Sequence, residues 1–163
     1  LHASYRRQRQ MCIRDRIREI SQAVSIPVIA NGDVIDSSTA SECLEATGAS
    51  GLMIGRGAIG RPTIFYEIKR DLGWITGPPP WGEGGDAIAR AWCWNRYLEL
   101  CEDIYADSRN KNLKRHAVSF TKGLPGASAM RVDLHGEGNQ RKLGRMVSEY
   151  LEGLALLNEA TAA

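Results

Sequence analysis

Apolar residues along this 163-residue chain follow two different rhythms. In the first part they come as short unbroken runs, Ile26-Pro27-Val28-Ile29-Ala30 and Leu52-Met53-Ile54. Each run stops at small or polar residues, Asn31-Gly32-Asp33 and Gly55-Arg56-Gly57. A run without alternation predicts a strand covered on both faces, as in parallel sheets packed under helices. Between the runs, Asp36-Ser37-Ser38-Thr39 supplies helix-capping oxygens, and Glu42 is spaced to complete a capping box from Thr39. Ala40, Cys43, Leu44 and Thr47 fall on one helical face, with Gly48 as the stop. Strand, helix, strand is a βαβ unit, and its crossover is expected to be right-handed.

Around this unit the pattern is helical. Ile17, Ile20 and Val24 space as one helix face before the first strand. Residues 1–16, dense in Arg and Gln and without periodicity, read as a disordered or artefactual lead-in. Beyond the second strand, Pro62 suits a first helical turn, Ile64, Ile68 and Leu72 recur every four residues, and Gly73 ends the segment. Residues 74–85, with Gly77-Pro78-Pro79-Pro80, break all periodicity and read as a linker, with Trp81 as a packing anchor. From Asp86, helical spacing returns in Ile88, Ala91, Trp92, Asn95, Leu98, Cys101 and Ile104. A shorter segment from Asn110 to Lys122 follows, then a turn at Gly123–Gly126. The last helix carries Leu143, Met146, Val147, Tyr150, Leu151, Leu154 and Leu157. Three or four amphipathic helices with short connections predict a small bundle over 86–163.

Composition narrows the classes. A 43% hydrophobic fraction suffices for a packed core, and 25% charged residues is ordinary for a soluble protein. With 21 basic against 19 acidic residues the net charge is +2, so any polyanion footprint must come from local clustering. Four cysteines without a pair at metal-ligand spacing argue against a disulfide scaffold or a zinc site. A cytoplasmic protein without metal or membrane segment is the expectation.

Two features carry chemistry. The first is the pair of strand ends. α/β folds place ligands at the carboxyl ends of their strands, glycine lets backbone N–H groups approach an anion, and Arg56 adds a permanently charged fork suited to phosphate. Either motif alone could be no more than a tight turn; two on adjacent strands point to a phosphate cradle. The second is a run of cations. From Arg109 to Arg131 the chain carries Arg109, Lys111, Lys114, Arg115, Lys122 and Arg131 with no Asp or Glu among them. A solvated helix face mixes both signs, so an unbalanced stretch marks a polyanion partner. His116, inside it, reads equally as a phosphate or ribose donor and as a packed histidine.

Ile26–Asp33 followed by Gly51–Phe65 resembles the end of the flavin barrel of bacterial tRNA-dihydrouridine synthases. The likeness continues through Ile59-Gly60-Arg61-Pro62, Lys114-Arg115-His116 and Lys122-Gly123-Leu124-Pro125-Gly126, and covers the chain from about Ile17 onward. It implies an α/β fold: the last βα units of a truncated TIM barrel over 17–73, then a small all-α helical bundle over 86–163 that grips tRNA. It also implies reduction of uridine to 5,6-dihydrouridine, with FMN as cofactor and NAD(P)H as reductant, in a protein that is monomeric at full length. Asn31, Gly32, Asp33, Gly55 and Arg56 match cofactor-binding positions; Lys114, Arg115, His116, Lys122 and Arg131 match the basic pattern that meets RNA. Leu1-His2 faintly resembles a strand end with a flavin-contacting histidine. Ser119-Phe120 replaces a Trp-Tyr pair frequent in the family. The proton-donating cysteine belongs upstream, so the chain alone is expected to be inactive. Two other readings stand beside this one: a phosphate-substrate barrel enzyme with an unrelated helical tail, and a non-catalytic RNA-binding module.

Overall fold

The computed structural model describes residues 2–82, 85–105 and 112–162; Arg109 and Lys111 of the basic stretch lie outside them. The chain divides into two compact units. One comprises residues up to Ala58 together with Ile64–Thr76; the other comprises Ile59–Thr63 and the residues from Gly77 onward.

The first unit is built on two parallel strands, β1 (Ile29–Asn31) and β2 (Gly51–Met53), in the register Ile29↔Gly51, Ala30↔Leu52, Asn31↔Met53. The crossover is helix α2 (Ser37–Thr47). Its cap lies three residues earlier than the spacing suggested. Asp36 is the N-cap, its carboxylate accepting from the Thr39 N–H at 2.8 Å, while the Thr39 hydroxyl accepts from the Asp36 N–H at 3.1 Å. An Asp carboxylate beside the first turn meets a still-unpaired donor directly, which a box begun at Thr39 would leave open. Gly48 closes the helix at φ 63, with its N–H on Leu44 O at 2.8 Å.

The strands are covered on one face only. Ala30 is fully buried and Leu52 packs beside it, but Ile29 and Met53 are 59% and 57% exposed. The expectation of cover on both faces is therefore corrected: helices pack on the Ala30 side, and no described element lies over Ile29 and Met53. The core on the covered side is Ala30, Val34, Ala40, Cys43, Ile64 and Ile68, flanked by Ile17, Ile54 and Leu72. Helix α3 (Ile64–Asp71) supplies Ile64 and Ile68, and Gly73 ends the segment at φ 71.

Helix α1 spans His2–Ala23, so residues 2–16 are helical rather than an unstructured lead-in, and no strand end lies at His2. Arg and Gln are strong helix formers, and propensity produces a helix there without an apolar stripe. Of the expected face only Ile17 reaches the core; Ile20 and Val24 are exposed. Polar contacts fasten α1 to α2 instead. Arg18 donates to Ala46 O at 2.6 Å, satisfying a carbonyl of α2's last turn, and the largely buried Arg14 lies 3.4 Å from Glu42.

Among the described residues the second unit holds four helices: α4 (Asp86–Tyr105), α5 (Leu113–Thr121), α6 (Ala127–Gly136) and α7 (Gln140–Ala162). Their core is Trp94, Leu113, Ala117, Phe120, Leu134, Leu143, Val147 and Leu151 with Ala91 and Cys93. Trp94 is fully buried, 5.2 Å from the Phe120 ring edge-on, and donates its indole N–H to Gly144 O at 3.1 Å. The inward face of α4 thus differs from the one read off the spacing, since Trp94 is core while Trp92 and Ile104 are exposed. The α7 pattern holds at Leu143, Val147 and Leu151 but not at Leu157. Gly144 lets α4 approach, because a Cβ there would sit 3.2 Å from Leu98 Cδ2. Trp81 rests 6.0 Å from Trp92, a packing contact of the kind expected of it. Among the described residues no helix is long and apolar enough to cross a membrane.

Candidate cofactor and nucleic-acid sites

The parallel pairing brings the ends of β1 and β2 side by side, and two side chains join the loops beyond them. Arg56 Nη2 donates to Asp33 Oδ1 at 2.5 Å, and Asn31 Nδ2 lies 3.5 Å from Met53 O, at the outer limit of a hydrogen bond. Asp33 stands at φ 44, the one non-glycine residue in the left-handed region among those described. Asp tolerates this conformation better than most residues, and here it turns the chain away from the strand immediately after Gly32. The Arg56 side chain is 79% exposed and that of Asp33 26%, so this ion pair adds little to stability. What it does is hold a guanidinium at the joint rim of both loops.

The glycines divide by function. At Gly32 and Gly55 a Cβ would meet nothing within 4 Å, so open space faces both loops. At Gly57 a Cβ would sit 2.3 Å from Val34 O, so this glycine is required for the loops to pack. Arg56 begins a short 3-10 turn, Arg56–Ala58, closed by Ala58 N–H on Gly55 O at 3.1 Å. The donor set suits a phosphate: a guanidinium with donors to spare, two glycines with open space and a short turn directly after a parallel strand. Asn31, Gly32, Asp33, Gly55 and Arg56 therefore all lie in one place.

The cations of the second unit fall on α5, the turn after it, and α6. Arg115, Lys122 and Arg131 are exposed; Arg131 Nη2 donates to Ser128 Oγ at 3.2 Å. Lys114 is half-buried and donates to His135 O at 2.9 Å, satisfying a carbonyl at the end of α6. His116 packs its ring 5.1 Å from that of Tyr97; burial first, then the neighbouring Arg115 charge, push its pKa below the ordinary imidazole value. Both effects favour the neutral ring.

Two features of this region were not visible as spacing. Arg90, largely buried, donates through Nη1 to Phe120 O at 3.1 Å and Lys122 O at 2.8 Å, and through Nη2 to Asp86 at 2.8 Å. It thereby closes the carboxyl end of α5. Tyr150 OH donates to Pro125 O at 2.6 Å, and burial raises its pKa against the opposing Arg90 charge. The Lys122–Gly126 turn is thus held from two sides, by an arginine on α4 and a tyrosine on α7. Only the i,i+4 spacing of Asp86 and Arg90 could have hinted at this.

Comparison with known proteins gives this geometry its family. The sequence model of the family described as Dihydrouridine synthase (Dus) matches residues 2–153. The chain belongs to the dihydrouridine synthase family. It is 55% identical over 108 residues to tRNA-dihydrouridine synthase B of Yersinia pestis, and 54% identical to that of Pectobacterium carotovorum. Identity to the Escherichia coli (strain K12) protein of the same name is 42% over the same length. Each match covers 65% of this chain and 32% of the relative, so the chain spans about a third of the length of the curated relatives it matches.

Proposed function

We propose that this chain supplies the last βα units of a flavin-binding TIM barrel and a tRNA-gripping helical bundle, in an enzyme that reduces uridine in tRNA to 5,6-dihydrouridine. The observation that carries the proposal is the Asp33–Arg56 pair, which joins two glycine-bearing loops at the carboxyl ends of adjacent parallel strands. Asn31, Gly32, Asp33, Gly55 and Arg56 would form the site for the phosphate of FMN, with Arg56 and the open glycine loops as its donors. When bound, the flavin supplies the hydride that saturates the uridine C5–C6 bond, with a nicotinamide cofactor as the source of electrons. This chain's own part is to fix the phosphate end, using loops that the sheet holds in register. None of the described cysteines lies at the strand ends: Cys43 is buried in the first unit, with burial raising its pKa in spite of Arg14, and Cys93 and the half-buried Cys101 are on α4.

Arg56→Ala should weaken FMN binding about tenfold, the scale of one charge-assisted hydrogen bond. Riboflavin, which has no phosphate, should bind the variant and the parent chain alike. Equal FMN affinity in the two proteins, measured by fluorescence titration, would remove Arg56 from the site.

In the helical unit, Arg115, Lys122 and Arg131 would meet RNA phosphates, with Lys114 and His116 supporting α5 from within. Phosphate contacts position a protein without reading sequence. Reversing Arg115 and Lys122 to Glu should weaken binding to different tRNAs alike, by roughly tenfold, and flatten the dependence of log Kd on log salt by about one unit for each phosphate no longer neutralised. An unchanged slope would leave these residues as a solvated face.

A further inference from the structure

Asp33 presents a difficulty for a phosphate site. A carboxylate beside a phosphate repels it, yet this carboxylate sits on the guanidinium that is to bind the ligand, at 2.5 Å. Its side chain is the better buried of the two, 26% exposed against 79% for Arg56, so the acid is the fixed member and the arginine the one being held. It also stands in the left-handed region at φ 44, a conformation that costs a non-glycine residue something, and its carboxylate reaches Arg56 on the neighbouring loop. Meanwhile the side-chain positions of Gly32 and Gly55 are open.

Resting on the proposed FMN phosphate site, we infer that the Asp33 side chain is a positioning residue: it orients the Arg56 fork toward the phosphate and does not touch the ligand itself. Arg56 has five N–H donors in one plane, and Asp33 engages Nη2. Anchoring one edge in this way leaves another edge to meet phosphate oxygens with little rotamer freedom left to lose. The opposing effect is the repulsion between carboxylate and phosphate. At a surface it is screened by water and salt, and it stands against the ordering of a long side chain that the anchored fork no longer has to undergo. Acceptor geometry and negative charge therefore act in opposite directions at this residue, and substitution can separate them.

Asp33→Asn and Asp33→Ala both remove the charge, but only the asparagine keeps an oxygen able to accept from Arg56, and asparagine also tolerates positive φ. FMN and riboflavin are titrated into the chain and each variant. Asp33→Asn should bind FMN at least as tightly as the parent chain, and Asp33→Ala five- to tenfold more weakly than Asp33→Asn. Asp33→Gly, which removes the backbone strain as well as the acceptor, should match Asp33→Ala. Riboflavin affinity should be the same in all of them, and in an Arg56→Ala background the gap between Asn and Ala at position 33 should close. Equal FMN affinity for the Asn and Ala variants, or a gap that persists without Arg56, would overturn the inference while leaving the phosphate site standing. A parent chain that binds FMN no better than riboflavin would overturn the phosphate site itself, and the inference with it.

Discussion

Trp94→Ala should cost the helical unit about 3–5 kcal/mol, the range for truncating a fully buried aromatic residue. Trp94 has no exposed surface, contacts the rings of Phe120 and Tyr97 at 5.2 and 5.5 Å, and sits among residues of α4, α5 and α7. Truncation leaves a void that Ala91, Leu143 and Val147 cannot fill from helices already packed together. It also deprives Gly144 O of the indole donor at 3.1 Å. Trp94→Phe separates the two losses, since it keeps most of the ring volume and drops only the hydrogen bond, for about 1 kcal/mol beyond the smaller change in volume. Denaturant unfolding followed by circular dichroism measures both. A loss below about 1 kcal/mol for the alanine variant would mean that this tryptophan is not the centre of the core.

Gly60→Ala should be nearly as severe. Gly60 stands at φ +80, and a Cβ added there would lie 2.4 Å from Ser119 O and 2.5 Å from Ser119 C. Both are backbone atoms near the end of α5, so no side chain can swing aside. The left-handed conformation costs an L-residue about 1–2 kcal/mol, and forcing the backbones apart costs a further 1–3 or so. Together these give a loss of about 2–5 kcal/mol. Gly123→Ala is the control, because φ is +82 there but a Cβ would meet nothing within 4 Å, so only the conformational part remains. If the two substitutions cost the same, the close approach of Gly60 to α5 is not a determinant of stability.

The sequence made some of these features legible and hid others for identifiable reasons. The βαβ unit was readable because its signals are local: two apolar runs, an αL glycine at 48 and capping oxygens between. The exact cap was not, since Asp36 and Thr39 both offer oxygens and only the backbone decides which one meets an unpaired N–H. The exposed face of the strands was hidden because a run such as Val28-Ile29-Ala30 has the same composition whether one face or both are covered. On α4, Trp92 and Trp94 lie two residues apart and both satisfy a hydrophobic pattern, so the inward one is chosen by its partners Phe120 and Gly144. Helix α6 escaped notice because only Ala127 and Leu134 are buried along it, too few to make a period. The strand-end residues were found through chemistry, glycine and arginine after each run. Their pairing through Asp33 was not, because a left-handed aspartate has no signature distinct from an ordinary turn. Arg90 was missed because a buried cation that closes another helix is defined by carbonyls thirty residues away.

Residues Ile59–Thr63 associate with the second unit although the chain on both sides of them belongs to the first. The polypeptide therefore passes from one unit to the other three times, and the proline-rich stretch after Thr76 is only the last of these passages. A protease cutting in that stretch would not release an intact helical unit, because the five residues bearing Gly60 and the buried Thr63 would remain with the other product. Recombination at the same point would leave behind the piece of backbone against which Ser119 packs. The visible seam in the sequence, the proline-rich stretch, is thus not the boundary of the helical unit.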